Sequence, residues 1–219
     1  MSVNKKIVIV DYQLGNLFSV NQSLINIGLA PTISSDPNDI YEADAIVLPG
    51  VGAFGDAMKN LRDLKLVDPI RDFVKKGKPL LGICLGLQLL FTKSEEFGSS
   101  EGLSFIKGSV RKFKGTNREN SLVRVPQIAW NTIELPSTKT WENTPLHNIK
   151  EGADMYFVHS YYVEPDDKAM VLTETVYGDQ VYTSSILYDN IFACQFHPEK
   201  SAGEGLKIYY NWAFLNKLL

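Results

Sequence analysis

Residues 79–86 read Pro-Leu-Leu-Gly-Ile-Cys-Leu-Gly, and the interpretation of the fold starts from this stretch. An apolar run ends in the pattern Gly82-x-Cys84-x-Gly86, which is typical of a sharp turn from a buried strand into a helix. Side chains at the two glycine positions would collide with the neighbouring strand and helix. The turn projects its central side chain beyond the carboxyl edge of the sheet. We therefore interpret Cys84 as a candidate nucleophile, whereas Cys194, without flanking glycines, is predicted to be strand core.

The segments around this turn alternate between buried strands and amphipathic helices. Apolar, β-branched runs predict strands, and apolar residues at helical spacing predict helices. Such alternation favours a three-layer α/β arrangement, with a mostly parallel sheet and helices on both faces. The strands are predicted at Ile7–Asp11, Ala45–Leu48 and Pro79–Ile83, and the helices at Asn16–Ile27, around Met58 and Leu61, at Ile70–Val74 and at Leu85–Phe91.

The second half of the chain, from about Leu103, has a different pattern. Short strand-like runs separated by turn residues predict an antiparallel extension, with a hairpin at Gly178-Asp179. Asn117–Ser121 is predicted to be a polar loop and Gly205–Leu219 a final helix. Because no linker divides the chain, residues 1–219 are predicted to form a single domain. The strands are predicted at Ser109–Phe113, Gln127–Leu135, Met155–Glu164, Val171–Tyr177, Val181–Tyr188 and Ile191–Phe196.

The composition is ordinary for a globular protein. The formal net charge of −3 gives no basic footprint for nucleic acid and no reason to expect a membrane surface as partner. No apolar run approaches the roughly 20 residues of a membrane-spanning helix. The first ten residues lack the features of a secretory signal, and two cysteines do not suggest a disulfide framework. We expect a cytoplasmic protein, and we predict no metal ion and no cofactor.

A nucleophilic thiol needs a general base, and the chain has three histidines. His147 lies in a polar loop and is predicted to be a surface residue, whereas His159 ends a strand and is structural or lines a pocket. His197 is followed by Pro198, which favours an extended backbone. On an extended segment Glu199 points the same way as His197, so its carboxylate can orient the imidazole. We therefore predict that these two residues complete a triad with the cysteine at the turn.

A glycine-rich loop, Gly50-Val51-Gly52-Ala53-Phe54-Gly55, lies between a predicted strand and a predicted helix. It matches the pattern of dinucleotide-binding loops, but the next strand ends at Ile83-Cys84 without the acidic residue that binds the ribose. The loop can instead offer backbone N–H groups to a negatively charged intermediate beside Cys84, because both lie at the carboxyl edge of the sheet. The two interpretations predict different ligands.

Three motifs of the chain together resemble the class I, or triad, glutamine amidotransferases. They are Pro49–Gly52, Gly82–Leu90 and Phe196–Ser201. The resemblance extends over nearly the whole chain, is strongest to the glutaminase subunits of imidazole glycerol phosphate synthase, and implies a flavodoxin-like parallel sheet between helices. The residues that carry this finer resemblance are Asp11-Tyr12, Gly15–Leu17, Gly52–Met58, Trp130-Asn131 and Tyr156–Tyr161.

The resemblance implies that Cys84 attacks the carboxamide of L-glutamine and that His197, oriented by Glu199, serves as acid and base. Ammonia then passes to a (β/α)8-barrel synthase subunit that makes imidazole glycerol phosphate in histidine biosynthesis. Such glutaminases are usually weakly active until the partner's ligand binds. The residues implied for the oxyanion and the glutamine are Gly50, Val51, Gly52, Leu85, Gln88, Ser160 and Tyr161. Those implied for a partner-facing rim are Asp11, Gln13, Asn16, Gln127, Trp130, Tyr156 and Lys200.

Three residues depart from the pattern of these glutaminases. Gln13 and Ala129 stand where glycine is usual, and Gln127 stands where histidine is usual. The resemblance implies that all three lie on or near the partner-facing rim. A paralogous glutaminase that supplies ammonia to another synthase, such as one that builds acetamidino groups on bacterial surface sugars, is therefore an alternative. A cysteine peptidase of related fold and a non-enzymatic regulatory subunit are the others.

Overall fold

The structure is a computed structural model that describes residues 5–117, 119, 121–137 and 140–219. The first four residues, and Arg118 and Asn120 of the predicted polar loop, lie outside the described residues. Within the described ranges, no helix is both long enough and apolar enough to cross a bilayer. The helices are α1 Leu17–Asn26, α2 Pro37–Glu42, α3 Phe54–Asp63, α4 Val67–Lys75, α5 Leu85–Leu89 and α6 Ala202–Leu215.

The strands form one large mixed sheet and one separate hairpin. They are β1 Ile7–Val10, β2 Thr32–Ser34, β3 Ala45–Leu48, β4 Leu80–Ile83, β5 Phe91–Ser94, β6 Ser100–Glu101, β7 Ile106–Lys112, β8 Gln127–Ile133, β9 Ala153–His159, β10 Tyr161–Pro165, β11 Val171–Tyr177, β12 Gln180–Tyr188 and β13 Ile191–Cys194. The order in the large sheet is β2-β1-β3-β4-β13-β12-β10-β7-β5-β6, with β11 also paired to β12, while β8 pairs with β9. The pairs from β2 to β13 are parallel, and antiparallel pairing begins at β12. The predicted parallel sheet with an antiparallel extension is confirmed.

The two faces of the parallel strands pack against different helices. In β1, Val8 and Val10 belong to one core cluster, whereas Ile7 and Ile9 belong to the other. The first cluster includes buried residues of α2, α3 and α4, and the second includes those of α1 and α6. Because successive side chains of a strand point to opposite faces, an entirely apolar strand needs cover on both sides. The predicted three-layer arrangement is confirmed.

Some predicted elements have different limits in the structure. The strand predicted at Met155–Glu164 is two strands, β9 and β10, which belong to different sheets and are separated by Ser160. The helix predicted to reach Phe91 ends at Leu89, and the final helix begins earlier than predicted, at Ala202. The periodicity of an apolar run does not show where the chain changes direction, which explains these errors.

The two glycines of the turn have no room for a side chain. A Cβ atom at Gly82 would lie 2.9 Å from the Cβ of Ala193 in β13. A Cβ atom at Gly86 would lie 1.8 Å from the carbonyl oxygen of Leu48 in β3. The collisions predicted from the sequence pattern are confirmed, and they arise because α5 starts directly against the neighbouring strands.

We expect Gly86→Ala to lower the free energy of unfolding by about 3 kcal/mol, because β3 and α5 must separate to admit the methyl group. Urea denaturation followed by circular dichroism measures the change. Gly203→Ala is the matched control, since nothing lies within 4 Å of a Cβ atom there and the residue belongs to α6. Alanine at this helical position should raise the stability by up to about 1 kcal/mol. Equal stability of the two variants would contradict the packing argument.

Candidate active site

Cys84 lies at the turn between β4 and α5 in an unusual backbone conformation. Its φ is 53° and its ψ is −108°, a combination that costs a non-glycine residue about 1–3 kcal/mol. The backbone N–H of Cys84 donates to the carbonyl of Cys194 at 2.8 Å, which ties the turn to β13. Cys84 is only 5% exposed. The surrounding strands therefore hold the turn in place and leave a small part of this residue accessible.

His197 and Glu199 form a buried pair. Nδ1 of His197 lies 2.7 Å from Oε1 of Glu199, and the two side chains are 2% and 1% exposed. The predicted pairing is confirmed. The backbone of His197 is extended as predicted, with φ −102° and ψ 96°, but Pro198–Lys200 form a 3-10 turn. The prediction of an extended segment through Glu199 is therefore wrong, and the turn brings the two side chains together instead.

The backbone of His197 is fixed by two neighbouring elements. Its N–H donates to the carbonyl of Tyr156 in β9 at 2.9 Å. The hydroxyl of Ser201 donates to the carbonyl of His197 at 2.7 Å and accepts from the N–H of Tyr156 at 3.0 Å. The base is thus held by the β8-β9 hairpin and by the residue that precedes α6.

The charge state of His197 depends on both of its acidic neighbours. Burial by itself lowers the pKa of His197, but the negative charge of Cys84 and the hydrogen bond to Glu199 raise this pKa above its usual value. Nε2 of His197 is buried and makes no standard hydrogen bond within the described part of the chain. It is therefore the ring nitrogen available to exchange a proton with Cys84. These interactions favour a protonated imidazole at position 197.

A pocket of about 250 Å³ opens beside Cys84. Its volume suits a ligand of the size of an amino acid better than an extended peptide. The predicted residues that line it are Val51, Gly52, Cys84, Leu85, Gln88, Ser160 and Tyr161, and Glu96, Pro126, Val158 and His159 complete the wall. His197 and Glu199 line a second, smaller space together with Asn16 and Gly50.

Gln88 is held by hydrogen bonds that fix the orientation of its amide. Its Nε2 donates to the carbonyl of Tyr161 at 3.0 Å and to Oε1 of Gln195 at 3.0 Å. Both N–H bonds of the amide are therefore used, and Oε1 is the atom left for a ligand. The pocket thus offers a hydrogen-bond acceptor close to Cys84.

Glu96 adds a carboxylate to the pocket wall. Burial raises the pKa of Glu96, and the backbone N–H of Phe54, which donates to Oε2 at 2.6 Å, opposes this rise. Phe54 begins α3, so the carboxylate occupies the helix N-terminus at which the diphosphate of a dinucleotide would bind. A diphosphate there would meet a like charge, which argues against the dinucleotide interpretation of the glycine loop. The same carboxylate can bind an ammonium group.

The backbone N–H of Leu85, predicted to hold an oxyanion, is already engaged. It donates to the carbonyl of Gly50 at 3.3 Å. Gly50 must be glycine, because a Cβ atom would lie 1.9 Å from the hydroxyl of Tyr12. Gly52 has a φ of 113°, a conformation that glycine adopts without strain. In this conformation the loop presents a carbonyl oxygen to Leu85.

Gln127 was predicted at the partner-facing rim, and this prediction is wrong because the residue is fully buried. Its Oε1 accepts a hydrogen bond from the hydroxyl of Tyr182 at 3.0 Å, and its Nε2 has no partner among the described residues. Side chains alternate along β8, so Ile128 and Trp130 face outward instead, with 57% and 51% exposure. The first residue of β8 points into the core.

His159 is part of the pocket wall and is neutral. Its Nδ1 lies 2.8 Å from the carbonyl oxygen of Tyr161, which can only accept, so Nδ1 carries the proton. Its Nε2 lies 3.4 Å from the hydroxyl of Tyr182. Burial lowers the pKa of His159 to about 4, against a smaller opposing effect of the Tyr161 carbonyl. A pKa this low makes His159 a weak base, and His147, as predicted, is exposed.

An aromatic and cationic surface lies next to the triad. Trp130 in β8 pairs with Tyr156 in β9, and their rings meet edge to face at 6.1 Å. Nζ of Lys200 lies 5.4 Å from the centre of the Tyr156 ring. The same ring is 6.4 Å from that of His197. Tyr156 thus connects two exposed side chains of the predicted rim to the buried base.

The other rim residues precede α1. Asn16 is the N-cap of α1, and its side chain accepts from the N–H of Ser19 at 3.4 Å. Gln13 is exposed with a φ of 70°, and its N–H donates to the side chain of Asp11 at 2.8 Å. Asn16 also lines the small space beside His197. The segment that precedes α1 therefore lies near the triad, which is compatible with its predicted place in the rim.

Sequence reasoning missed two side chains of the site. Gln195 is fully buried, and its Nε2 donates to Sγ of Cys84 at 3.5 Å. Its position two residues before His197 is a signal that could have identified it. Glu96 has no comparable signal, because its contact with the glycine loop depends on the folded chain. Cys194 is fully buried, as predicted, and burial raises the pKa of its thiol.

Comparison with known proteins gives a family match over most of the chain. Residues 8–216 match the family model described as glutamine amidotransferase class-I. A protein of Aquifex aeolicus named imidazole glycerol phosphate synthase subunit HisH is 49% identical, and the match covers 94% of each chain. Proteins of the same name from Sulfurimonas denitrificans and Nostoc punctiforme are 45% and 44% identical, covering 94% of this chain and 96% and 94% of theirs.

Solved structures of low sequence identity share the fold of this chain. A chain in the structure of PurLQS from Thermotoga maritima has a TM-score of 0.71 at 19% identity, covering 97% of this chain and 99% of that one. A glutamine amidotransferase from the same organism has a TM-score of 0.59 at 16% identity, covering 99% of this chain and 87% of that one. At these identities the likeness concerns the fold alone, and it agrees with the fold predicted from the sequence.

Proposed function

Because the chain belongs to the class-I glutamine amidotransferase family, we propose that it is the glutaminase subunit of an imidazole glycerol phosphate synthase. The observation that carries the proposal is the pocket in which Cys84, with the His197–Glu199 pair behind it, lies beside Gln88. The relatives named above support the pathway, since each match extends over nearly all of this chain. In this proposal residues 1–219 form one amidotransferase domain.

The arrangement supports a two-step hydrolysis. The sulfur of Cys84 attacks the side-chain carbon of the glutamine carboxamide, and protonated His197 gives its proton to the leaving nitrogen. Ammonia departs and a glutamyl thioester remains. His197 then takes a proton from water, which attacks the thioester. The C–S bond breaks, glutamate is released as its new carboxyl group loses a proton to solvent, and the Cys84 thiolate again faces protonated His197. Glu199 keeps the imidazole in the tautomer and orientation that direct Nε2 toward the reacting groups.

Three groups around the pocket suit L-glutamine in this proposal. The carboxylate of Glu96 pairs with the α-ammonium group, and Oε1 of Gln88 accepts from an N–H of the ligand. Ser160 and Tyr161 also line the pocket. The oxyanion is held by backbone N–H groups of the Val51-Gly52 segment and of Leu85, once Leu85 has left the carbonyl of Gly50.

The ammonia is consumed, in this proposal, by a (β/α)8-barrel synthase subunit in a heterodimer. That subunit docks on the rim formed by Asp11, Gln13, Asn16, Trp130, Tyr156 and Lys200. Gln127 takes no part because it is buried. Gln127 is one of the three residues that differ from the usual pattern of these glutaminases and so suggested a different partner. Because it lies in the core, it is no evidence about the partner, and the case for a paralogue of surface-sugar biosynthesis is weaker.

We expect the barrel subunit, with its nucleotide substrate bound, to raise the rate of glutamate formation by about 10- to 100-fold. The assay uses the chain and the synthase subunit purified from the same cell. Trp130→Ala should weaken the complex by about 30-fold in Kd, because an exposed aromatic anchor is lost. Phe214→Ala is the matched control, since Phe214 is 64% exposed and lies about three turns along α6 from Ala202, at which the helix begins. Stimulation only by a surface-sugar synthase would select the paralogue, and stimulation by neither would contradict the proposal.

A further inference from the structure

Gln195 connects the glutamine pocket to the sulfur of Cys84. We propose that its buried carboxamide has two roles: its Nε2–H stabilises the anionic sulfur, and its Oε1 holds Gln88 in the orientation that binds glutamine. This inference rests on the proposed function, because both roles belong to the hydrolysis of glutamine at Cys84. Gln195 is a donor to the reacting atom and a positioning residue for Gln88.

The position of Gln195 is fixed by its backbone and by complete burial. It follows the last residue of β13, and its N–H donates to the carbonyl of Ser184 in β12 at 2.8 Å. The residue has no exposed surface. From this position its side chain accepts from Nε2 of Gln88 at 3.0 Å and donates to Sγ of Cys84 at 3.5 Å. A single side chain therefore contacts both the nucleophile and a pocket residue.

The direction of these hydrogen bonds is set at Tyr161. Its carbonyl oxygen can only accept, and it lies 3.0 Å from the amide nitrogen of Gln88 and 2.8 Å from Nδ1 of His159. Gln88 must therefore turn its NH2 group toward Tyr161, and the second N–H of that group points to Gln195. The atom of Gln195 that receives it is Oε1, so Nε2 faces the sulfur. Reversing either amide would place two donors or two acceptors against each other.

The donor from Gln195 can stabilise a negative charge on the sulfur of Cys84, which has one other neighbour that opposes such a charge and one that attracts it. The carbonyl of Val158, 3.9 Å away, can accept from a thiol but opposes a negative charge. The protonated ring of His197 attracts that charge. A neutral N–H donor in a buried site stabilises an anion more strongly than water-exposed donors do. When the Gln195 donor is removed, the reactive thiolate should therefore form only at a higher pH.

The first test measures the pH dependence of Cys84 alkylation by iodoacetamide in a Cys194→Ala background, in which one thiol remains. Gln195→Met keeps the side-chain length but cannot donate. We expect it to move the midpoint of the alkylation profile up by about one pH unit and to slow alkylation about tenfold at pH values below the wild-type midpoint. Gln195→Glu should move the midpoint at least as far, because the carboxylate takes the negative charge first and opposes a second one on the sulfur.

Thr183→Val is the matched control for this experiment. Thr183 is buried in the neighbouring strand β12, and its hydroxyl has no hydrogen-bond partner among the described residues. The substitution keeps the shape of the side chain, so the alkylation profile should stay unchanged. Melting temperatures of all variants are recorded. If Gln195→Met does not fold, Gln195→Glu, which has the same shape as the native residue, provides the test.

Steady-state kinetics of the stimulated complex separate the two roles. Gln195→Met should lower kcat about tenfold and also raise KM, whereas Gln88→Met should raise KM without moving the alkylation midpoint. The KM effects of the two changes should not add in the double variant, because both break the same contact. A merely structural Gln195 would lower the melting temperature and leave the midpoint in place.

An unchanged midpoint in the folded Gln195 variants would overturn the proposal. Failure of the proposed function has a different signature, since the wild-type protein would then show no Cys84-dependent hydrolysis of glutamine. The alkylation experiment needs no glutamine, so it tests the donor role in either case.

Discussion

Replacing Cys84 with alanine is expected to lower kcat/KM for glutamine by at least about 10⁴-fold. The pocket opens at this sulfur, and the charge of Cys84 is one of the effects that raise the pKa of His197. Without the sulfur, only substrate binding and the oxyanion-binding loop remain to promote attack by water. Glutamate formation in the stimulated complex measures the loss. An electrophilic glutamine analogue should label Cys84 in the wild-type protein, as seen by mass spectrometry of the peptide.

Cys194→Ala is the matched control for this experiment. The sulfur of Cys194 is fully buried and contacts the carbonyls of Gly82 and Phe196 at 3.9 and 3.5 Å. This variant should hydrolyse glutamine at close to the wild-type rate and should still be labelled. Label on Cys194, or activity retained in Cys84→Ala, would contradict the assignment. Turnover of peptides without glutamine would favour a peptidase, and absence of label even with the partner would favour a regulatory subunit.

Glu199→Gln is expected to lower kcat by about 10³- to 10⁴-fold and to leave KM near the wild-type value. The carboxylate of Glu199 accepts a hydrogen bond from Nδ1 of His197 at 2.7 Å in a buried site. An amide at this position can present an N–H to the ring, which selects the tautomer with Nε2 protonated and unable to act as a base. Because Glu199 does not line the glutamine pocket, substrate binding should change little.

Glu204→Gln provides the comparison for Glu199→Gln. Glu204 lies on α6 and pairs with Lys207 at 2.6 Å. Its replacement should leave both kcat and KM close to the wild-type values, since Glu204 lines neither the glutamine pocket nor the space beside His197. A loss of activity that appears entirely in KM for Glu199→Gln would show that this residue binds substrate instead of orienting the base.

The parts of the fold that depend on local pattern can be predicted from the sequence. Every residue of β1, β3 and β4 is buried, so these strands appear as uninterrupted apolar runs. By contrast, neither β2 nor α2 is predicted. The three residues of β2 are exposed or half-buried, and they form a strand because they pair with β1. No periodicity within three residues can indicate such a pairing.

In the candidate site, too, contacts between residues close in sequence can be predicted, whereas contacts between distant residues cannot. His197 and Glu199 lie two residues apart, so reasoning about neighbouring residues can pair them. Gln195 is 111 residues from Cys84 along the chain, and their contact exists only after β13 has paired with β4. Gln127 is the opposite case, in which a role implied by resemblance is wrong because the residue points inward from β8 while Trp130 points outward.

The proposed mechanism assigns the N–H of Leu85 to the oxyanion, but in the structure this N–H donates to the carbonyl of Gly50. While the bond is formed, the N–H of Leu85 cannot stabilise an intermediate, so turnover is proportional to the fraction of molecules in which the loop has turned away. A partner that binds the open loop 1.4 kcal/mol more tightly than the closed one, roughly the energy of a single hydrogen bond, raises the ratio of open to closed molecules about tenfold. Activation of this kind requires no catalytic group from the partner. The rate of glutamine hydrolysis by the isolated chain then depends on the fraction of molecules in which the Gly50 carbonyl has left the N–H of Leu85.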